Sequence, residues 1–115
     1  ELLDLDISLN VIQQPSELIP DTLNVLDLDC LTSADLTPGQ VNRKAGAAAR
    51  NYVLRATADA LAGKIRAIVT LPMNKEATRL SDPTFCGHTE LIAADKFWIG
   101  LIRPTMKQAP PTMIA

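Results

Sequence analysis

Aromatic residues are scarce in this chain of 115 residues, where they account for 3% of the total. Any hydrophobic core must therefore be built mainly from aliphatic side chains. A strong charge of either sign is also missing, because the formal net charge is −2 and the isoelectric point lies near 5.2. This balance gives no electrostatic reason to expect a nucleic acid or an anionic membrane as a partner. The length fits about one domain.

Long apolar runs are absent as well. No stretch approaches the ~18–20 residues of a membrane span, and no basic segment followed by an apolar one forms a leader. The two cysteines, Cys30 and Cys86, lie far apart outside any CxxC pattern, and His88 is the single histidine. A metal site with nitrogen or sulfur ligands cannot be completed from this chain alone. We expect a cytoplasmic protein with reduced cysteines.

Alternating apolar and polar residues predict two strands in the first third of the chain. The alternation runs from Leu2 to Ile12 and returns over residues 21–29. Residues 31–40, which are rich in Thr, Ser, Asp, Pro and Gly, predict a connection.

A change to helical spacing follows. Alanine-rich apolar positions at steps of three and four predict a helix over residues 41–61, ended by Gly63. Cationic side chains on this helix, Arg50 among them, are interpreted as a solubilising surface. Residues 64–71 form a β-branched apolar run that predicts a strand covered on both faces in a parallel sheet. A helix, a glycine turn and a buried strand make half of a βαβ unit, so the fold class is α/β.

The remaining third contains two predicted loops. Residues 73–76 would leave the carboxyl end of the buried strand, where open α/β sheets bind their ligands. Residues 81–87 form a second loop before a short helix, which is predicted to begin at Thr89 or Glu90 and to reach Phe97 or Trp98. The pattern weakens after Gly100, and residues 111–115 resemble the beginning of another strand.

Four side chains on these loops are candidates for binding a phosphate or a carboxylate. They are Asn74, Lys75, His88 and Thr89. Gly87 permits a ligand to approach the backbone, and the free N–H groups at the start of a helix favour an anion. The alternatives are structural: a surface or hydrogen-bonded histidine, a helix cap for Thr89 and a solvated charge for Lys75. The sequence has none of the motifs GxGxxG, GxxxxGK[ST] and GxSxG.

Taken together, these segments resemble the family of 4-hydroxythreonine-4-phosphate dehydrogenase, an oxidoreductase of vitamin B6 synthesis. The resemblance is strongest over residues 36–92 and is carried by Leu36-Thr37-Pro38-Gly39-Gln40-Val41, Ala45-Gly46-Ala47-Ala48, Val69-Thr70-Leu71-Pro72-Met73-Asn74-Lys75-Glu76 and Gly87-His88-Thr89-Glu90. It implies an isocitrate/isopropylmalate dehydrogenase-like fold, with three α/β/α layers around a mainly parallel sheet. In this family the His-Thr pair contacts the substrate, which assigns substrate binding to His88 and Thr89. Asn74 and Lys75 are assigned to the same pocket.

The resemblance implies NAD-dependent oxidation of 4-phosphooxy-L-threonine, followed by decarboxylation, in a homodimer that uses a divalent metal (Zn, Mg or Co). The family's glycine-rich first segment, its three metal-binding histidines and its nucleotide contacts have no counterpart here, and residues 95–110 diverge. We therefore expect residues 1–115 to be a single partial α/β domain, a fragment that is inactive alone and holds neither catalytic residues nor a metal site. Such a fragment would expose sheet faces and self-associate. Two alternatives remain: a related dehydrogenase for another hydroxy acid, and a non-catalytic remnant that binds phosphate or serves in assembly.

Overall fold

A computed structural model describes residues 7–94 and 112–115 of the chain. Within these ranges the regular elements, in chain order, are β1 (Leu9–Ile12), β2 (Leu23–Leu26), α1 (Arg43–Leu61), β3 (Ala67–Val69), α2 (Lys75–Arg79), α3 (His88–Ala94) and β4 (Thr112–Ile114). Short 3-10 helices lie at Pro15–Glu17 and Ser33–Asp35. The predicted strand residues before Ile7 and the divergent segment 95–110 lie outside the described residues. None of the described helices is long and apolar enough to span a membrane.

The two strands predicted near the start are confirmed, although β1 leaves out Ile7 and Ser8 and β2 is shorter than the pattern over residues 21–29. β1 and β2 pair in parallel, with Leu9 opposite Leu23 and Val11 opposite Val25. Asn10 donates from Nδ2 to Oδ1 of Asn24 at 2.7 Å. This hydrogen bond between opposed side chains supports the register that the main-chain pairing sets. The connection over residues 13–22 is short for parallel strands, which are usually joined by a dozen residues or more.

Helix α1 confirms the longest predicted element and begins two residues later than predicted. Asn42 precedes it, and its Oδ1 accepts from the main-chain nitrogens of Lys44 at 2.8 Å and Ala45 at 3.2 Å. The helix ends before Gly63, whose φ of +71° suits a residue without a side chain. Its buried residues are Gly46, Ala48, Val53, Ala56, Thr57 and Asp59. The small side chains of this stripe allow α2 to approach closely.

The 3-10 helix at Ser33–Asp35 braces the start of α1. Asp35 accepts from Lys44 Nζ at 2.6 Å and from the main chain and hydroxyl of Thr32. The hydrogen bonds from Lys44 and then from Thr32 lower the pKa of Asp35 from 3.8 to about 2. The connection predicted over residues 31–40 is thus confirmed, with one ordered turn inside it.

Replacement of Asp35 tests this brace. Because folding lowers the pKa of Asp35, its charged form contributes stability above pH 3.8, and that contribution is lost as the pH falls towards about 2. We expect Asp35→Asn to lower the midpoint of urea unfolding at pH 7. At pH 2, where most of this contribution is lost, the difference between the variant and the parent should be much smaller. An equal difference at both pH values would show that the carboxylate charge has no part in the brace.

Strand β4 confirms the strand predicted near residue 111, and it pairs in parallel with β3, so that Val69 lies opposite Ile114. The connection between these strands contains α2 and α3, which agrees with an α/β fold. The prediction that β3 is covered on both faces was wrong for the described residues. α1 packs against β3, but Val69 is 51% exposed and Ile114 is 66% exposed. An apolar strand sequence indicates that both faces of the strand can be buried. Whether they are buried depends on a second layer that packs against the sheet.

Candidate functional site

The position of the site is set by the contact between α1 and α2. A Cβ atom added to Gly46 would collide with the main-chain carbon and oxygen of Ala77 and would lie 2.5 Å from the nitrogen of Thr78. Ala77 and Thr78 are buried against this glycine. The close approach of the two backbones fixes α2, and with it the residues that start α2, relative to α1.

Residues 73–76 do not form the predicted loop throughout, since α2 begins at Lys75. Asn74 caps this helix: its Oδ1 accepts from the nitrogen of Ala77 at 3.1 Å, and its main-chain oxygen accepts from the hydroxyl of Thr78 at 3.0 Å. The cap engages the amide oxygen of Asn74. A ligand would therefore meet the amide nitrogen of this side chain.

Lys75 and the second loop come together at Gly87. The Nζ atom of Lys75 lies 3.9 Å from the position that a Cβ atom of Gly87 would occupy, and Oε2 of Glu90 lies 2.8 Å from the same point. Gly87 itself is buried. An ammonium group, a carboxylate and a bare backbone thus surround one small volume. Two segments that are separated in sequence converge here.

His88 is the first residue of α3, one residue earlier than the helix start that the sequence predicts. The main-chain oxygen of Gly87 accepts from the nitrogen of Leu91 at 3.0 Å, which closes the first turn. The Nε2 atom of His88 is buried and has no hydrogen-bond partner among residues 7–94 and 112–115. A buried polar atom left without a partner costs about 1–3 kcal/mol, so a group that pairs with it would recover that cost.

Thr89 lies in the first turn of α3 and is exposed. Because the helix begins at His88, Thr89 is inside the helix and not at the capping position that was its structural alternative. The structure places it next to His88 in the chain. No contact of the described residues joins the Thr89 hydroxyl to Lys75 or Asn74.

The loop between α2 and α3 is held by two arginines. Arg50 of α1 donates from Nε to Oδ2 of Asp82 at 2.9 Å, and Arg79 donates from Nε to the main-chain oxygen of Phe85 at 2.8 Å. Hydrogen bonds from Thr84 and then from Arg50 lower the pKa of Asp82. The interpretation of Arg50 as a solubilising residue was therefore incomplete. Its role depends on a residue far away in sequence, and no local signal indicates that pairing.

A neighbouring cleft of about 450 Å³ lies between residues 31–38, the first turns of α1 and the start of α2. Asn74 and Thr78 line this cleft, whereas Lys75, His88 and Thr89 do not. The four predicted residues are thus divided: Lys75 and His88 flank Gly87, Thr89 follows them on α3, and Asn74 faces the cleft. Among residues 7–94 and 112–115, no group of three or more His, Cys, Asp or Glu side chains could hold a metal ion.

Parallel strand pairs, with helices in the connection between β3 and β4, define a protein of the α/β class. The family model described as pyridoxal phosphate biosynthetic protein PdxA matches residues 1–105, so the chain belongs to the PdxA family. The family resemblance found in the sequence is thereby confirmed.

Individual relatives agree with this assignment. The chain is 37% identical over 89 residues to D-threonate 4-phosphate dehydrogenase of Pectobacterium atrosepticum, a match that covers 76% of this chain and 27% of that protein. The enzyme of the same name from Salmonella typhimurium is 38% identical over 90 residues, covering 76% and 28%. A crystal structure of 4-hydroxythreonine-4-phosphate dehydrogenase from Klebsiella pneumoniae superposes with a TM-score of 0.71 at 42% identity, covering 76% of this chain and 27% of the other. The chain therefore spans just over a quarter of the length of these relatives.

Proposed function

We propose that this chain forms part of the substrate site of a dehydrogenase that oxidises a four-carbon hydroxy acid phosphorylated at its 4-position. The relatives are named for two such compounds, D-threonate 4-phosphate and 4-hydroxythreonine 4-phosphate. Both compounds carry a phosphate dianion, a carboxylate and an oxidisable hydroxyl group. A site for either one needs a cation together with directed hydrogen-bonding groups.

The observation that carries this proposal is the approach of the Lys75 ammonium to Gly87, the residue directly before His88. The Lys75 ammonium lies beside Gly87, which has no side chain of its own, and the Glu90 carboxylate lies at the same point, so an anionic group of the ligand would take the place of that carboxylate. Nε2 of His88 is buried and lacks a partner among the described residues, so it would pair with a ligand oxygen only if the side chains around it move to admit the ligand. The hydroxyl of Thr89 is a further group proposed to contact the same ligand. Asn74 lines the neighbouring cleft, so its amide nitrogen is proposed to contact the part of the ligand that extends into that cleft.

These residues bind and orient the substrate, and none of them is proposed to transfer a proton. Fixing the hydroxyl-bearing carbon lowers the entropic cost of reaching the reactive geometry. NAD, the proposed oxidant, supplies hydride acceptance when it is bound. The described residues do not provide a divalent-metal site. We propose that both the metal and NAD bind to other parts of the enzyme.

The architecture proposed for the whole enzyme is the isocitrate/isopropylmalate dehydrogenase-like fold, a cytoplasmic homodimer in which residues 1–115 form one partial domain. The TM-score of 0.71 to the Klebsiella pneumoniae enzyme, with 27% of that chain covered, supports a partial domain. We expect the chain alone to bind substrate weakly and to be inactive as a dehydrogenase. The non-catalytic alternative predicts that the chain binds the phosphorylated ligand both alone and within the whole protein, and that NAD is reduced in neither case.

D-threonate 4-phosphate is the favoured substrate within this class, because the Pectobacterium and Salmonella relatives are named for it. Calorimetric titration of the full chain tests the proposal, with D-threonate 4-phosphate, 4-phosphooxy-L-threonine and unphosphorylated D-threonate as ligands. We expect either phosphorylated compound to bind at least about tenfold more tightly than D-threonate, as one charge-assisted contact would produce. Equal binding of all three compounds would contradict a phosphate-dependent site.

His88 should show opposite effects on stability and on binding. Replacing His88 by Met removes the unpartnered Nε2 atom, so the free energy of unfolding should stay unchanged or rise by about 1 kcal/mol. The same change should abolish measurable binding of D-threonate 4-phosphate. Urea unfolding and calorimetry on one preparation measure both effects. His88→Gln keeps a polar group and serves as the control. If the His88→Met variant loses stability and keeps its affinity for D-threonate 4-phosphate, His88 is not part of the binding site.

A further inference from the structure

Glu90 places a negative charge at the point where an anionic ligand would meet Lys75. The Oε2 atom of Glu90 lies 2.8 Å from the position that a Cβ atom of Gly87 would occupy, and Nζ of Lys75 lies 3.9 Å from the same position. Lys75 begins α2, and Glu90 belongs to the first turn of α3. Opposite charges from two helices therefore face one point. Within residues 7–94 and 112–115, neither of these two residues forms an ion pair within 4.0 Å.

The Glu90 carboxylate stands in the way of a ligand anion. It lies in the space that a side chain at position 87 would take, which is the space that glycine leaves open beside Lys75. Like charges at contact distance repel each other, and the charge of a phosphate dianion makes this repulsion larger than for a carboxylate. Glu90 is exposed, so its flexible side chain can turn towards solvent, and no ion pair of the described residues has to break when it does.

We propose that Glu90 is an internal competitor, a carboxylate of the chain that occupies the position of the ligand anion and limits the affinity of the site for phosphorylated ligands. The ligand binds only after this carboxylate has turned away from Lys75. When the binding-competent conformation is a minor one, the apparent affinity is reduced by the fraction of molecules that adopt it. The inference rests on the proposed function, because it concerns the same anion position at Lys75, and it adds a control on affinity to that site.

The structural alternative is that Glu90 only caps α3. A glutamate three residues after the residue that precedes a helix can accept a hydrogen bond from the main-chain nitrogen of that residue, which here is Gly87. Gln accepts the same hydrogen bond, whereas Ala cannot. Glu90→Gln and Glu90→Ala therefore separate charge from capping. An internal competitor predicts that both variants bind phosphate more tightly. A residue that only caps predicts parental affinity for Glu90→Gln and a loss of stability without a gain in affinity for Glu90→Ala.

Calorimetric titration of the full chain with inorganic phosphate and with D-threonate 4-phosphate tests the proposal. We expect Glu90→Gln to bind each ligand about tenfold more tightly than the parent, as follows if about a tenth of the parent molecules have the carboxylate turned away. Glu76→Gln is the matched control. It removes the same charge from an exposed residue that follows Lys75 in the first turn of α2, and its affinity should stay within about twofold of the parent. Inorganic phosphate that binds Glu90→Gln no more tightly than the parent, or equal gains in the two variants, would overturn the proposal.

The movement of Glu90 can be followed by NMR through its side-chain carboxyl carbon, whose signal is assigned by its loss in Glu90→Gln. Inorganic phosphate should change this signal saturably in the parent chain and leave the carboxyl signal of Glu76 unchanged. A Glu90 signal that stays constant while phosphate saturates the chain would overturn the proposal. Failure of the proposed function gives a different result. D-threonate 4-phosphate would then bind no more tightly than inorganic phosphate, while the gain from Glu90→Gln would persist.

Discussion

Replacing Gly46 by Ala should destabilise the chain, although the same change favours an isolated helix. Alanine inside a helix is more stable than glycine by about 1 kcal/mol. Here the added methyl group would collide with the main chain of Ala77 and lie 2.5 Å from the nitrogen of Thr78. Overpacking against a backbone costs about 1–3 kcal/mol, because backbone atoms cannot rotate away as a flexible side chain can. The difference between these two effects is a net loss of up to about 2 kcal/mol, which urea unfolding measures.

Asn51→Ala provides the control for helix propensity. Asn51 is an exposed residue of the same helix, so alanine should raise the unfolding midpoint there. A Gly46→Ala variant that gains stability to the same extent would show that α1 and α2 are not held in backbone contact. The contact at Gly46 would then not be what fixes α2 relative to α1.

Replacing Lys75 by Met should weaken binding of D-threonate 4-phosphate by about tenfold to a hundredfold, without a matching loss of stability. The ammonium group lies at Gly87 next to His88, and one hydrogen bond to a charged group contributes about 1.5–3 kcal/mol. Met keeps most of the aliphatic length of lysine, so packing at the start of α2 should be retained. Calorimetric titration of the full chain gives the affinity, and urea unfolding gives the stability.

Lys44→Met removes the same charge at a distant place, where the lysine pairs with Asp35. Ligand affinity in this control should stay within about twofold of the parent. If the two variants lose affinity equally, the effect comes from overall charge and not from a site at Gly87. If neither variant loses affinity, Lys75 does not bind the phosphate group.

The sequence predicted those elements whose signals are local. The Ala-rich spacing of α1, its end before Gly63 and the strand after residue 111 are all found in the structure. The sequence placed candidate binding residues on or next to both loops, and in the structure Lys75 lies near Gly87, the last residue of the second loop. Substrate binding by the four predicted residues stays a prediction.

One prediction failed because a local signal was overlooked, and the others depend on packing between distant parts of the chain. Residue 75 starts a helix because Asn74 caps it, a signal that the sequence contains and the prediction of a loop overlooked. The exposure of β3 depends on what else packs against the sheet, which an apolar strand sequence cannot report. The pairing of Arg50 with Asp82 joins α1 to a loop 32 positions away. The steric need for Gly46 likewise arises only after α2 is docked.

The proposed binding of one anionic ligand by His88 and Lys75 can be tested directly, because the chain has a single histidine. We would follow the imidazole nitrogen signals of His88 by NMR while adding D-threonate 4-phosphate to the full chain at constant pH. If both residues bind the ligand, we expect a saturable change in the Nε2 signal that is absent in the Lys75→Met variant. An Nε2 signal that stays unchanged up to millimolar ligand, or that changes equally in Lys75→Met, would contradict the proposed binding.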